Sequence, residues 1–327
     1  MTAAGDPQTG GRAGEPALVT FGEAMGVVAS TEPGPLAVGG AARLSFAGAE
    51  ATVAIGVSRL GHRAAWVGRV GDDAVGAMVL SGLRGEGVDI SGARVEPDVP
   101  TGLMLRERRT ADRTRVAYYR RDLAGSRLSP ADVDAEVIAQ ARVLHLTGIT
   151  PALSDTALAA VRETVRVAKA AGVAVSIDVN YRALLWARTA ASAVLGSLVP
   201  QADIVFAGPE EASLLVAEDE PERMARALGA LGPATTVLKL GAEGALVHAG
   251  GEVLVQSAFP VTCVDPIGAG DAFVAGYLAG TLDGSDAARC LRLAAACGAF
   301  AVSAAGDWEG LPRRGDLRLL DAADVSR

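Results

Sequence analysis

Cysteine is scarce in this chain, with only Cys263, Cys290 and Cys297 among 327 residues. Three thiols do not make a disulfide framework. If Cys290 and Cys297 share a helix face, seven residues of rise separate them by about 10 Å, too far for a bridge. A reducing cytoplasm is the expected setting. Histidine is as rare: His62, His145 and His248 are scattered, without the spacing that a zinc or Ser-His-Asp site needs. Long apolar runs are missing too. The longest small-apolar stretch, residues 293–306, is broken by Gly298 and Ser303 and is too short to span a bilayer. Residues 1–16 hold no apolar segment of signal-peptide type and read as a disordered tail. Nor is there an excess of positive charge. Thirty basic against 38 acidic residues leave −8, which argues against a general affinity for nucleic acid or anionic membrane. An anionic ligand would need a local positive site.

What the chain has is apolar content, half of all residues, enough for one large α/β domain over 17–327. Short apolar runs alternate with helical ones throughout. Strands are expected at 17–22, 64–69, 142–147, 173–178, 203–207, 235–240 and 244–248. Helices are expected at 50–60 (closed by Gly61), 154–171, 188–198 and 220–231. Continuous apolar strands separated by helices imply a doubly wound, mostly parallel sheet covered on both faces. Ligands then bind beyond the carboxyl ends of the strands. Segments 31–46 and 98–121 break the alternation. The second alternates with charge around a turn at 110–113, and together they suggest a small antiparallel lid sheet. Charge alone would make it a solvated hairpin, whereas the cluster Tyr118-Tyr119-Arg120-Arg121 favours a lid facing a ligand.

The chemistry concentrates in DPIGAGDAFVAGYLAG, residues 265–280. A Gly-Ala-Gly turn opening a helix aims unpaired amides at one point, a setting for a phosphate or developing oxyanion. Gly268 and Gly270 allow positive φ and close approach, and Ala269 lies between them. Asp271 follows at once. Its charge repels phosphate, but a carboxylate there suits proton abstraction from an attacking hydroxyl, as in phosphoryl transfer. Spacing alone leaves a second reading, in which Asp271 only caps the helix. No Lys-Ser/Thr follows the glycines, so this is not a P-loop, and GEAMG (22–26) lacks the third glycine of a dinucleotide fingerprint.

DPIGAGDAF resembles the C-terminal signature of the ribokinase-like (PfkB) carbohydrate kinases. FAGAEATVAIGVSRLG (46–61) with VGRVGDDAVG (67–76) resembles their N-terminal one. Within that family AYYRRDLAGS (117–126), LHLTGITPAL (144–153), DVNYRALLW (178–186) and AAGDWEG (304–310) are most similar to kinases of 2-keto-3-deoxygluconate. The resemblance implies a ribokinase-like doubly wound domain with a β-sheet lid that often forms a dimer interface. It further implies ATP with Mg²⁺, Asp271 as catalytic base, and in some relatives a K⁺ ion beside the anion turn.

Carried across, the resemblance places the sugar acid against Gly48, Ala49, Glu50, Thr52 and Met104, with Tyr118 and Arg120 from the lid. Arg182 and Asp307 complete that pocket. A keto-acid carboxylate suits guanidinium partners. An arginine standing alone is usually a surface residue, but the YYR and DVNYR contexts favour ligands. ATP is expected along Asn180, Tyr181, Gly208, Lys239, Gly241 to Gly244 and Ala295. Glu211 is expected to organise Mg²⁺ through water, with an ordinary first-turn glutamate as the rival reading. Thr52, Met104, Gly208, Leu240 and Ala295 depart from the usual residues of close relatives. The expected activity is ATP-dependent phosphorylation of 2-keto-3-deoxygluconate on its 6-hydroxyl. Neutral sugars such as fructose or tagatose are the alternative acceptors. A catalytically inactive sugar-binding regulator is the alternative of another class, and a nicotinamide dehydrogenase is remoter still.

Overall fold

The computed structural model describes residues 15–110 and 113–320. Residues 1–14 of the expected tail, the tip of the expected hairpin turn (111–112) and residues 321–327 lie outside the described residues. The strands β1 (Leu18–Phe21), β2 (Met25–Ser30) and β3 (Ala42–Ala47) lead into α1 (Ala49–Arg59). Next come β4 (Ala64–Val67), β5 (Arg69–Gly71), α2 (Ala74–Gly85), β6 (Arg94–Glu96), β7 (Leu103–Arg108) and β8 (Thr114–Tyr119). Then follow α3 (Ala135–Ala139), β9 (Val143–Thr147), α4 (Asp155–Ala171), β10 (Ala174–Asp178), α5 (Arg188–Leu198), β11 (Ile204–Ala207) and the short α6 (Pro209–Ala212). The chain continues with α7 (Pro221–Ala230), β12 (Thr235–Lys239), β13 (Ala245–Ala249), β14 (Glu252–Gln256), α8 (Ala269–Leu282) and α9 (Ala287–Val302).

Eight strands form the main sheet in the order β14-β13-β12-β11-β10-β9-β1-β4. All its pairs are parallel except β12–β13 and β13–β14. The parallel strands are fully buried apolar runs such as VLHLT and IVFA, as expected of strands covered on both faces. On one face α1, α2, α8 and α9 pack a core around Ile55, Trp66, Phe206 and Tyr277. On the other, α4, α5 and α7 pack around Phe21, Leu144, Ile177 and Leu195. The doubly wound α/β architecture read from the sequence is the one observed.

Helix α8 is buried over nearly its whole surface from Ala272 onward, because it is apolar all round and lies between α1 and α9. A Cβ on Gly276 would stand 2.8 Å from the Cα of Ala294, so only glycine lets α8 and α9 approach this closely. That packing fixes the N-terminus of α8. No helix among the described residues is long and apolar enough to cross a membrane.

The lid differs from expectation. It is a mixed four-stranded sheet, β3-β2-β7-β8, in which β2 and β7 run parallel. Strand β2 was not foreseen, because it starts only a few residues after β1 and reads as part of the same apolar run. Residues 31–41 form turns rather than strand, and β7–β8 is the expected hairpin. The inner face of the lid carries Met25, Val27, Ala47 and Met104.

Candidate active site

One cleft of about 1660 Å³ opens between the lid and the carboxyl ends of the parallel strands. Of the residues expected to form the catalytic, sugar, nucleotide and Mg²⁺ sites, Gly48, Glu50, Tyr118, Arg182, Glu211 and Asp271 among them, all line it except Thr52. Gly48, Ala49 and Glu50 reach the cleft from the first turn of α1. Thr52, two residues on, is rotated by about 200° around the helix and is buried in the opposite direction. Thr52, expected against the sugar, does not line the cleft.

The anion turn is built by Gly268 and the start of α8. Gly268 takes φ 76° as the residue before the helix, and a Cβ there would meet the Asp307 carbonyl oxygen at 2.0 Å. Gly270 does not share this conformation, because it is already helical. Its lack of a side chain leaves room instead. Residues 269–271 form the first turn, whose amides have no partner inside the helix. Asp265 holds the preceding loop, accepting from Ile267 N at 3.1 Å and Gly306 N at 3.3 Å.

Asp271 is the third helical residue, not the cap, and no side chain caps α8. Its carboxyl accepts from Asn180 Nδ2 at 3.2 Å and forms no ion pair among the described residues. Burial, helped by the charges of Asp178 and Glu50 and opposed by Arg182 and Lys239, pushes its pKa up to about 7. A carboxyl poised near neutrality in a cleft suits a general base. Asn180 is almost fully buried, has φ 39°, and also reaches Asp178 Oδ2 at 3.5 Å. One amide thus bridges two carboxylates.

Lys239, one of only two lysines in the chain, does not extend freely along the nucleotide side. Its Nζ lies 2.7 Å from both oxygens of Asp178. Burial raises the pKa of Asp178, while the pair and neighbouring carboxylates hold the proton on Lys239. Glu211 accepts from Tyr181 N at 3.1 Å and Gly208 N at 2.7 Å. The latter bond caps α6, so the first-turn reading of Glu211 holds, and the same carboxylate also faces the cleft. Gly241 and Gly244 flank a turn after β12, both with positive φ. Beyond them Phe259, Pro260, Val261, Ala295 and Val302 make an apolar slot.

At the lid end the charges are paired. Glu50 Oε1 accepts from the hydroxyls of Thr147 and Thr150, each at 2.7 Å, and burial raises its pKa. Arg120 stacks on Tyr118 with its guanidinium carbon 5.5 Å from the ring centroid, and forms an ion pair with buried Glu23. Arg120, expected against the sugar acid, has a counter-ion in Glu23. Arg106 pairs with Asp307 at 2.6 Å. Arg182 alone among these arginines lines the cleft without a hydrogen bond or ion pair from its side chain to a described residue. The sequence reading missed Glu23, Arg106 and Asp178. The last was legible, because it ends a buried strand two residues before Asn180. Glu23 and Arg106 were not, because only the lid fold brings them inward.

A family model described as pfkB family carbohydrate kinase matches residues 16–314. A 2-dehydro-3-deoxygluconokinase of Thermoproteus tenax is 39% identical over 299 residues, covering 90% of this chain and 91% of that protein. A 2-dehydro-3-deoxygalactonokinase of Haloferax volcanii is 34% identical, covering 89% and 92%. A solved structure titled a putative Ribokinase II in complex with ATP and Mg²⁺ from E. coli is 28% identical with a TM-score of 0.86, covering 94% of this chain and 99% of that one.

Proposed function

The chain belongs to the pfkB family of carbohydrate kinases, ATP-dependent enzymes that phosphorylate a small sugar, and on that premise we propose that its acceptor is 2-keto-3-deoxygluconate (2-dehydro-3-deoxygluconate), phosphorylated on the 6-hydroxyl. The observation that carries the reading is Asp271, a carboxyl at a pKa of about 7 beside the anion turn with no cation bound to it. The name of the Thermoproteus relative supports the sugar acid. Unpaired Arg182 supports it too, since a guanidinium in a cleft is suited to a carboxylate.

In this mechanism Asn180 holds the Asp271 carboxylate, which takes the proton of the attacking hydroxyl. The sugar oxygen bonds to the γ-phosphorus, the bond to the β–γ bridging oxygen breaks, and ADP leaves. Amides of 268–271 meet the charge on the transferred group. ATP lies along Asn180, Tyr181, Gly208 and the 241–244 turn, with adenine in the apolar slot, held by packing rather than by side-chain hydrogen bonds. Mg²⁺ supplies charge neutralisation on the phosphates when bound. No three His, Cys, Asp or Glu side chains among the described residues converge as a metal site. Glu211 fits the hydrated ion through its lone carboxylate, because Mg²⁺ keeps several waters and takes its other ligands from phosphate.

A neutral acceptor such as fructose or tagatose is the second reading, favoured by the pairing of Arg120 and Arg106 with carboxylates. A coupled assay over a sugar panel separates the two. The sugar acid, or its C4 epimer, should give the highest kcat/KM; turnover of neutral sugars alone refutes the acid reading. Running the assay in potassium and in tetramethylammonium salts reports whether a monovalent cation acts at the turn. The exposed Leu44 on β3, with Leu36 and Val38 in the loop before it, supports a homodimer through the lid, checked by light scattering at micromolar concentration.

A further inference from the structure

Arg106 sits on lid strand β7, two residues from Met104 and on the same inward face, and is only 5% exposed. Its charge is compensated by two carboxylates that do not belong to the lid. Nη2 reaches Asp307 at 2.6 Å and Nη1 approaches Asp265 at 3.8 Å, while Nε is buried without a partner. Asp265 opens the anion turn, and Asp307, in the 304–310 loop, lies against it. Asp265 fastens the 265–267 backbone to Gly306, and the Asp307 main chain presses on Gly268 where that residue takes its positive φ.

The rest of the lid grips the same loop. Trp308 Nε1 donates to the Phe46 carbonyl at 3.1 Å, Ser45 donates to Glu309 at 2.7 Å, and Arg43 donates to the Ala305 carbonyl at 3.0 Å. These contacts reach the rim of the 304–310 loop, whereas Arg106 reaches the two carboxylates behind the amides themselves. We propose that Arg106 is a positioning residue that ties the lid sheet to the anion turn, setting the turn's amides in register with a sugar held under the lid.

The inference goes beyond the identity of the acceptor. Its test therefore uses whichever panel sugar the parent turns over best. Misplacing reacting groups by about 1 Å can cost on the order of 10²-fold in rate. Arg106→Met should lower kcat by about tenfold or more, with KM for sugar and ATP each changed by less than about threefold. A kcat within about twofold of the parent, or a loss carried by sugar KM, overturns the proposal. Should Arg106→Met not fold, Arg106→Lys decides. Lysine keeps the charge but lacks the length and planar fork with which Arg106 addresses both carboxylates, so kcat should be intermediate with KM values unchanged. Parent-like kcat in Arg106→Lys refutes the two-carboxylate bridge.

Discussion

Asp178→Asn tests the electrostatics of the cleft without touching the reacting groups. Asn180 Nδ2 lies 3.5 Å from Asp178 Oδ2 and 3.2 Å from Asp271 Oδ1. The two oxygens are therefore less than about 7 Å apart, and unit charges at that separation and an effective dielectric of about 20 repel by at least roughly 2 kcal/mol, or more than about 1 pH unit. The repulsion raises the pKa of Asp271, second only to burial. Removing the Asp178 charge lowers it and also releases Lys239 to act on Asp271 in the same direction. The ionised form is the active base, so in the parent kcat/KM should climb with pH through about 7. In Asp178→Asn that acid limb should move down by at least about 1 pH unit. The alkaline plateau should fall, because a weaker base abstracts the proton less well. Full pH profiles of kcat/KM at saturating ATP measure both effects. A limb that stays in place, or shifts upward, refutes the electrostatic account.

Arg182→Gln leaves the lid intact and removes the unpaired guanidinium. For a carboxylate substrate KM should rise by about tenfold or more, the size of a lost charge-assisted hydrogen bond, while a neutral sugar's KM stays put. Steady-state kinetics with both acceptor types decide it, and equal effects on the two would remove Arg182 from carboxylate recognition. Gly268→Ala combines a left-handed backbone with a Cβ placed 2.0 Å from the Asp307 carbonyl. Strain of about 1–3 kcal/mol should lower the thermal midpoint by several degrees and reduce kcat. A variant as stable and active as the parent would mean that the turn needs no glycine.

The main sheet was legible because parallel strands buried on both faces are unbroken apolar runs, and helical runs, the first closed by Gly61, separate them. The anion turn was legible for a local reason, since glycine, amides and Asp271 are contiguous. The lid resisted reading. Pairing of β2 with β7 joins segments some 75 residues apart in a parallel register, and no local pattern encodes it. Arg106 and Glu23 follow from that pairing. In sequence the first stands in a charged run, RERR, that reads as solvated, yet the fold buries it against Asp307. Thr52 stays outside the cleft through helix phase, two residues on from Glu50 around α1. Arg120 and Lys239 line the cleft, but their partners, Glu23 after β1 and Asp178 at the end of β10, are distant in sequence and could not be inferred from either neighbourhood.

Asp271→Asn carries the central claim. The amide keeps the shape of the side chain and loses its basicity, so kcat should drop by about 10³-fold or more, with binding of sugar and nucleotide retained in calorimetry. The raised pKa means that ionising Asp271 costs the folded state stability as pH climbs from the ordinary carboxylate value of 3.8 to about 7. At pH 8, therefore, the variant should melt no lower than the parent. Turnover near the parental rate in this folded variant would show that another group takes the proton and would contradict the account.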